Sequence, residues 1–269
     1  MARELPDGTR PEEGAPPHDS FAWDGPGDVG RASSGGFLLD ALRRRPVGHA
    51  VLNVLVAVLF VSGAGMFAYP FFTDVYTEQV IQDRLQDEFV AMEVQTFDEW
   101  EDSVRGQSGA ALTKIVIPDI GVETLVVEGT SPAALRAGAG HYPNTPLPGQ
   151  SGNVAIAGHR TTYGKPFNRV DELAVGSVIW LITPVGDHRY VVTDQPASDR
   201  CRTVQSPDNP DLAACITDPK DWKVIAPTST ASLTLTSCHP KGSASERIII
   251  RAELAETLPP GTWESQRTA

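Results

Sequence analysis

Between Val47 and Thr73 the chain carries no Asp, Glu, Lys or Arg, and within that run residues 50–69 have Asn53 as their only strongly polar side chain. About 20 apolar residues in a helix cross the hydrocarbon core of a bilayer, so residues 47–73 are expected to form a transmembrane helix. Arg43, Arg44 and Arg45 precede the run; Asp74 and Glu78 follow it. Basic residues collect on the cytoplasmic side of a span, which puts the N-terminus in the cytoplasm and everything after residue 73 outside. A cleaved signal peptide is the rival reading, with Ser62-Gly63-Ala64 as its cleavage site, but its apolar region usually runs to only about 7–15 residues behind a short basic leader. An uncleaved, single-pass signal anchor in the cell membrane is the better match.

The span divides the rest. Residues 1–46 are rich in Pro and Gly without apolar periodicity, a composition that buries too little surface to offset chain entropy, and are read as a disordered cytoplasmic tail. Residues 74–109 are read as a helical stalk. Ile81, Leu85, Phe89 and Met92 recur at helical spacing, with Asp83, Gln86, Asp87 and Glu93 between them. That stripe fits a stalk holding a domain off the membrane, or an arm packed on that domain; the stalk is the plainer reading. From residue 110 the pattern turns to short apolar runs stopped by Pro or Gly: 115–117, 125–127, 154–157, 178–183, 190–193, 233–237 and 247–252. Such runs with turn signals between them suggest a closed or nearly closed antiparallel barrel over residues 110–255. Residues 256–269 are polar and are read as a disordered tail. The formal net charge of −12 argues against a nucleic-acid partner, which would require a basic face.

One stretch of the barrel region carries chemistry. In residues 231–251, Leu233 and Leu235 alternate with Thr234 and Thr236, Cys238 closes the strand, and Arg247 opens the next one before Ile248, Ile249 and Ile250. A cysteine at one strand end and an arginine at the start of the next can face each other across a groove. Free cysteine is often a small buried hydrophobe, and reactivity has to come from its surroundings. A second stretch, GNVAIAGHR at residues 152–160, supplies them: a strand broken at Gly158, with His159 at its end. Cys238 and His159 are thus candidates for a thiol–imidazole pair.

These segments resemble the sortases. TLTSC at residues 234–238 is similar to the family's Thr-Leu-x-Thr-Cys signature, with Ser237 where threonine is usual, and Arg247 matches the family's arginine. GAGHYPNTPLPGQSGN at residues 138–153 and NVAIAGHRTTYGKPF at residues 153–167 are similar to the histidine segment and the stretch before it. CHP after the signature and HRTTYG after the histidine most resemble the actinobacterial class E sortases of Gram-positive cell walls. The resemblance covers roughly residues 113–254. It implies a mainly β, eight-stranded sortase-type barrel, with Cys238 as nucleophile, His159 as general acid and Arg247 stabilising the oxyanion and substrate. The activity it implies is transpeptidation. A C-terminal sorting signal of the Leu-Ala-x-Thr-Gly or Leu-Pro-x-Thr-Gly type is cleaved between Thr and Gly, held as a thioacyl-enzyme, and passed to an amine of a lipid-linked cell-wall precursor. The partners are therefore secreted proteins bearing that signal, the peptidoglycan precursor and the cytoplasmic membrane. A hydrolase using water on the same barrel and a non-catalytic tethered binding domain are the alternatives.

Around this triad, Thr161, Thr162, Tyr163, Thr236, Ser237 and His141 are candidate substrate-binding residues. Arg160 is read as a surface residue, and His239 as pointing to the opposite face from Cys238. Arg251 shares strand parity with Arg247 but lies about 13 Å further along an extended strand. The histidines do not fall at metal-ligand spacing, which argues against zinc; no metal and no cofactor is expected. Cys201 and Cys215 bracket a loop-like stretch and are either two free thiols or a disulfide, which would contribute on the order of 3 kcal/mol. Either way Cys238 is the odd cysteine of three.

Overall fold

A computed structural model describes residues 46–204 and 211–267, so the reading of residues 1–45 as a tail, and the basic flank within it, lie outside the described residues. The described residues up to Phe60 and those from Val61 onward fall into separate units. Helix α1, Pro46–Tyr76, runs for 31 residues with apolar side chains such as Val54, Leu59 and Phe60 exposed. It belongs to the one helical stretch among the described residues that is long and apolar enough to cross a membrane.

The segment after it is an arm packed on the barrel, which corrects the stalk reading. A π-helical turn, Thr77–Ile81, leads into α2, Gln82–Val90, and α3, Phe97–Val104. The apolar stripe of α2 found its partner: Leu85, with Ile81, Phe89 and Met92, packs against Ala111, Leu125, Val127 and Ala134 of the barrel. Gln82 completes the contact. Its side-chain oxygen accepts from the Leu125 N–H (2.7 Å) and the Thr124 hydroxyl (2.9 Å), and its amide donates to the Ala137 carbonyl (2.6 Å). Left unpaired, those backbone groups would carry a desolvation cost. The start of α3 is fixed by a capping box between Thr96 and Glu99, which aims Trp100 and Val104 at Leu112 and Leu147.

Eight strands close the barrel. β1 (Ala111–Ile117) turns back into β2 (Val122–Glu128); after α4 (Pro132–Ala137), β3 (Ala139–His141) and β4 (Asn153–Ala157) follow. β5 (Val178–Thr183) and β6 (Gly186–Val192) form a hairpin that turns at Pro184 and Val185. β9 (Ser232–His239) and β10 (Glu246–Leu258) form the last pair. The cyclic order is β6-β5-β1-β2-β3-β4-β9-β10, closed by β10 on β6; a small hairpin of β7 (Arg202–Thr203) and β8 (Cys215–Thr217) hangs from the outer part of β10. Period-two alternation sorts the side chains. Ile115, Ile117, Val154, Ile156, Leu233, Leu235, Ile248 and Ile250 fill the interior, while Ile249, between two of them, packs outward on Cys215, Ala197 and Val224. Cys201 and Cys215 are bridged, with Cα atoms 5.4 Å apart. Reducing this bridge is expected to cost about 3 kcal/mol, read as a lower unfolding midpoint in denaturant with dithiothreitol than without.

The C-terminal segment is not a tail. β10 continues to Leu258, opposite Asp187, and α5 (Thr262–Arg267) folds back on the barrel. Trp263 lies with its ring 5.4 Å from that of Trp180, its backbone N–H donates to the Asp187 carboxylate (2.8 Å), and Arg267 pairs with Glu123 (2.8 Å). Polar composition concealed this, because the apolar contact is made by one tryptophan with a distant strand.

His188 on β6 is buried, with Nδ1 3.1 Å from the Thr257 hydroxyl. Burial disfavours its charged form and pushes its pKa down to about 4. The unfolded chain binds this proton near pH 6.5 and the folded chain only near 4. Stability is therefore intact above pH 6.5 and is lost progressively as the pH falls toward 4, by about 3 kcal/mol for this group. His188→Gln should flatten the acid side of a denaturation midpoint measured against pH over that range.

Candidate active site

β4 and β9 run parallel, with Ala157 level with Thr236. One residue further, the Gly158 N–H donates to the Thr236 carbonyl (3.0 Å) and the Ser237 hydroxyl donates to the Gly158 carbonyl (2.8 Å). The residues that follow these two contacts are His159 on one segment and Cys238 on the other. Gly158 is required by space: a Cβ there would lie 2.5 Å from the Phe167 ring. Across the other edge of β9, Arg247 of β10 is the direct ladder partner of Cys238. Residues directly opposite in a sheet project to the same face, so thiol and guanidinium share a face. Arg247 is steadied by donating from Nη1 to the carbonyls of Ala244 (3.0 Å) and Glu246 (2.9 Å). Cys238 is free and half-buried.

His159 is half-buried, and burial lowers its pKa by penalising the imidazolium. Its ring lies 5.1 Å from that of Tyr163. The turn that carries it is closed by the Phe167 N–H on the His159 carbonyl (3.2 Å) and by the Asn168 amide on the Arg160 carbonyl (2.7 Å). Tyr163 and Lys165 sit at positive φ, 53° and 37°, a region that costs non-glycine residues energy and that clusters at functional sites. Arg160 is not a surface residue: it is 2% exposed, donating to the Phe167 carbonyl (3.2 Å) and paired with Asp171 (2.8 Å).

The face shared by Cys238 and Arg247 leads into a groove of about 100 Å³ lined by Tyr142, Thr217, Asp221, Trp222, Thr236 and Arg247. Of the candidate substrate-binding residues, Thr236 lies in it. Ser237 is buried against Gly158 on the other face. His141 is buried too, paired with Glu128 (2.7 Å) and against the Pro146 carbonyl (3.0 Å), where it packs a loop. Its neighbour Tyr142 is the groove residue, its hydroxyl 3.0 Å from that of Thr236. Thr161 and Thr162 stay on the histidine turn, and Tyr163 lines a different cavity of about 350 Å³ between that turn and the helical arm. Arg251, as its distance implied, is structural: buried, it donates to the carbonyls of Ala197 (3.2 Å) and Val224 (3.3 Å). Tyr142, Asp221 and Trp222 were missed. The sequence signal for Tyr142 was its position next to His141, just past a strand too short to show alternation; for Trp222, two-thirds exposed, nothing in the pattern marks it.

At one end of the closed barrel stand a free cysteine and its arginine ladder partner, with a histidine on the turn that follows β4. The family model described as the sortase domain matches residues 115–255, and the chain belongs to the sortase family. It is 27% identical over 173 residues to sortase SrtE1 of Streptomyces coelicolor, covering 60% of this chain and 46% of that protein. It is 32% identical over 98 residues to sortase D of Bacillus subtilis, covering 36% of this chain and 48% of that protein. The matches thus span about half the length of the curated relatives. Among solved structures, a Clostridium perfringens sortase D5 transpeptidase superposes with a TM-score of 0.51 at 25% identity, over 67% of this chain and 99% of that one.

Proposed function

We propose that this protein is a membrane-anchored cysteine transpeptidase, and the observation that carries the reading is the pairing of Cys238 with Arg247 across one ladder, with the His159 turn fastened to the same strand from the other side. The Cys238 thiolate attacks the scissile carbonyl carbon, forming a C–S bond. The oxyanion develops on the face shared with Arg247, whose guanidinium donors stabilise it. As the C–N bond breaks, His159 gives its proton to the departing amine. An acceptor amine then attacks the thioester, its proton passes to His159, and Cys238 leaves as thiolate. The groove beside Thr236, with the aromatic side chains of Tyr142 and Trp222, receives the residues preceding the scissile bond.

The class E resemblance favours Leu-Ala-x-Thr-Gly over Leu-Pro-x-Thr-Gly as the signal. The anchor would hold the domain on the outer surface of the cytoplasmic membrane, with the N-terminus inside, beside secreted proteins bearing the signal and a lipid-linked peptidoglycan amine. The test is mass spectrometry of the full chain in detergent with both peptides and triglycine as acceptor. A ligated product, more of it from the Leu-Ala peptide, is the expected result. Cleavage without ligation would establish the hydrolase instead, and no turnover of either peptide would remove the transpeptidase reading.

A further inference from the structure

We propose that Arg160 is a positioning residue of the active site, which fastens the turn bearing His159 and places a buried positive charge beside Cys238. The inference rests on the reading of Cys238 as nucleophile. The geometry is that of a clamp inside the turn. One arm of the guanidinium reaches the Phe167 carbonyl (3.2 Å) and the other the Asp171 carboxylate (2.8 Å). The residue's own carbonyl is held by Asn168 (2.7 Å). A single planar fork thus joins the start of the turn, at His159, to its end and to the segment beyond. Lysine, a single-point donor, cannot span both partners.

The charge is only partly offset. Arg160 is 2% exposed, and the Asp171 carboxylate that faces it is shared: its second oxygen, buried without a hydrogen-bond partner, has Lys241 3.8 Å away, so a second cation competes for that charge. The Arg160 Nε is buried without a hydrogen-bond partner, a feature uncommon enough in folded proteins to need a reason. Burial pulls the guanidinium's pKa down, and Asp171, Glu172 and the Cys238 thiolate oppose that pull. Coulomb attraction acts on both members of a pair, so the thiol is where this inference is tested. The other titratable and charged groups on elements around the thiol are His159, Asp171 and Glu172 from the turn and its continuation, His239 and Lys241 beyond Cys238, and Arg247 and Glu246 on β10. Arg247 is the ladder partner of Cys238 on β10, while Arg160 lies on the turn that follows β4, the strand on the other edge of β9.

The experiment is the rate of iodoacetamide alkylation of Cys238 against pH. It uses the full chain in detergent, comparing wild type with Arg160→Met, Arg160→Lys and Asp171→Asn, and mass spectrometry locates the adduct. With Cys201 and Cys215 bridged, Cys238 is the thiol that reports. Arg160→Met should move the midpoint of the rate profile upward by about one unit, slowing alkylation near neutrality about tenfold. Arg160→Lys should keep the midpoint within a few tenths of a unit yet lose peptide turnover about tenfold, because the charge remains and the clamp does not. Asp171→Asn, which keeps the arginine and removes its counter-charge, should move the midpoint downward. A reactive wild-type thiol whose midpoint is unchanged in folded Arg160→Met, or in Asp171→Asn if the methionine variant does not fold, overturns this inference alone. A wild-type thiol that resists alkylation across the whole range overturns the nucleophile reading and this inference with it.

Discussion

Cys238→Ala should reduce ligation of a sorting-signal peptide by at least about 10⁴-fold, the scale on which removal of a catalytic nucleophile acts when the rest of the site is left in place. The change should be confined to chemistry. Cys238 is half-buried at the end of β9 and makes no side-chain hydrogen bond among those of the described residues, so truncating it leaves the ladder to β10 intact. Peptide binding, measured by fluorescence anisotropy, should stay within about threefold of wild type, since the nucleophile contributes chemistry and little uniform binding. Cys238→Ser is the sharper variant. It retains a hydroxyl at the same position, but an alcohol lacks the acidity that makes a thiol ionise beside a cation, and its turnover should also fall to the background. Ligation surviving in either variant would remove Cys238 from the mechanism.

Arg247→Lys should lower kcat by about 10²–10³-fold with little change in KM, the loss expected when one stabilising donor is taken from a developing oxyanion. The reason the charge-conserving change fails is visible in how the arginine is held. One nitrogen of the fork is spent on the carbonyls of Ala244 and Glu246, which leaves the rest of the plane directed by that anchorage. An ammonium on a flexible stem cannot be tied and offered at once. Arg247→Gln, which loses the charge, should fall by a further factor of about ten. Equal losses in kcat and kcat/KM for the lysine variant would identify an interaction made in the transition state; a rise in KM alone would reassign Arg247 to substrate binding.

What the sequence made legible follows the range of each signal. Leu233, Leu235, Ile248 and Ile250 alternate with polar or outward residues, and period-two patterning is local, so the strands that carry Cys238 and Arg247 could be drawn from the text of the chain. The His159 turn was equally legible because Gly158 breaks a strand just before it. The helical stripe of Ile81, Leu85, Phe89 and Met92 announced an apolar face, but what covers such a face is decided by distant residues; Gln82 reaching Leu125 has no local signature. Arg160 was misread for the same reason. An arginine in a polar turn reads as solvated unless its partners are known, and Asp171 lies in the next turn of chain. His141 and Tyr142 exchanged roles because β3 is three residues long, too short for alternation to say which of two neighbours faces the groove.

β10 pairs with β9 along most of its length, with β8 near its start and with β6 near its end. The strand that presents the arginine is therefore also the strand that seals the barrel and seats the disulfide hairpin. Detaching it would break three ladders together, which places the reactive centre in the most cooperative part of the structure rather than in a segment able to open by itself. Presentation of the arginine is consequently all-or-none: any molecule in which β10 is laddered to β9 has already set Arg247 opposite Cys238.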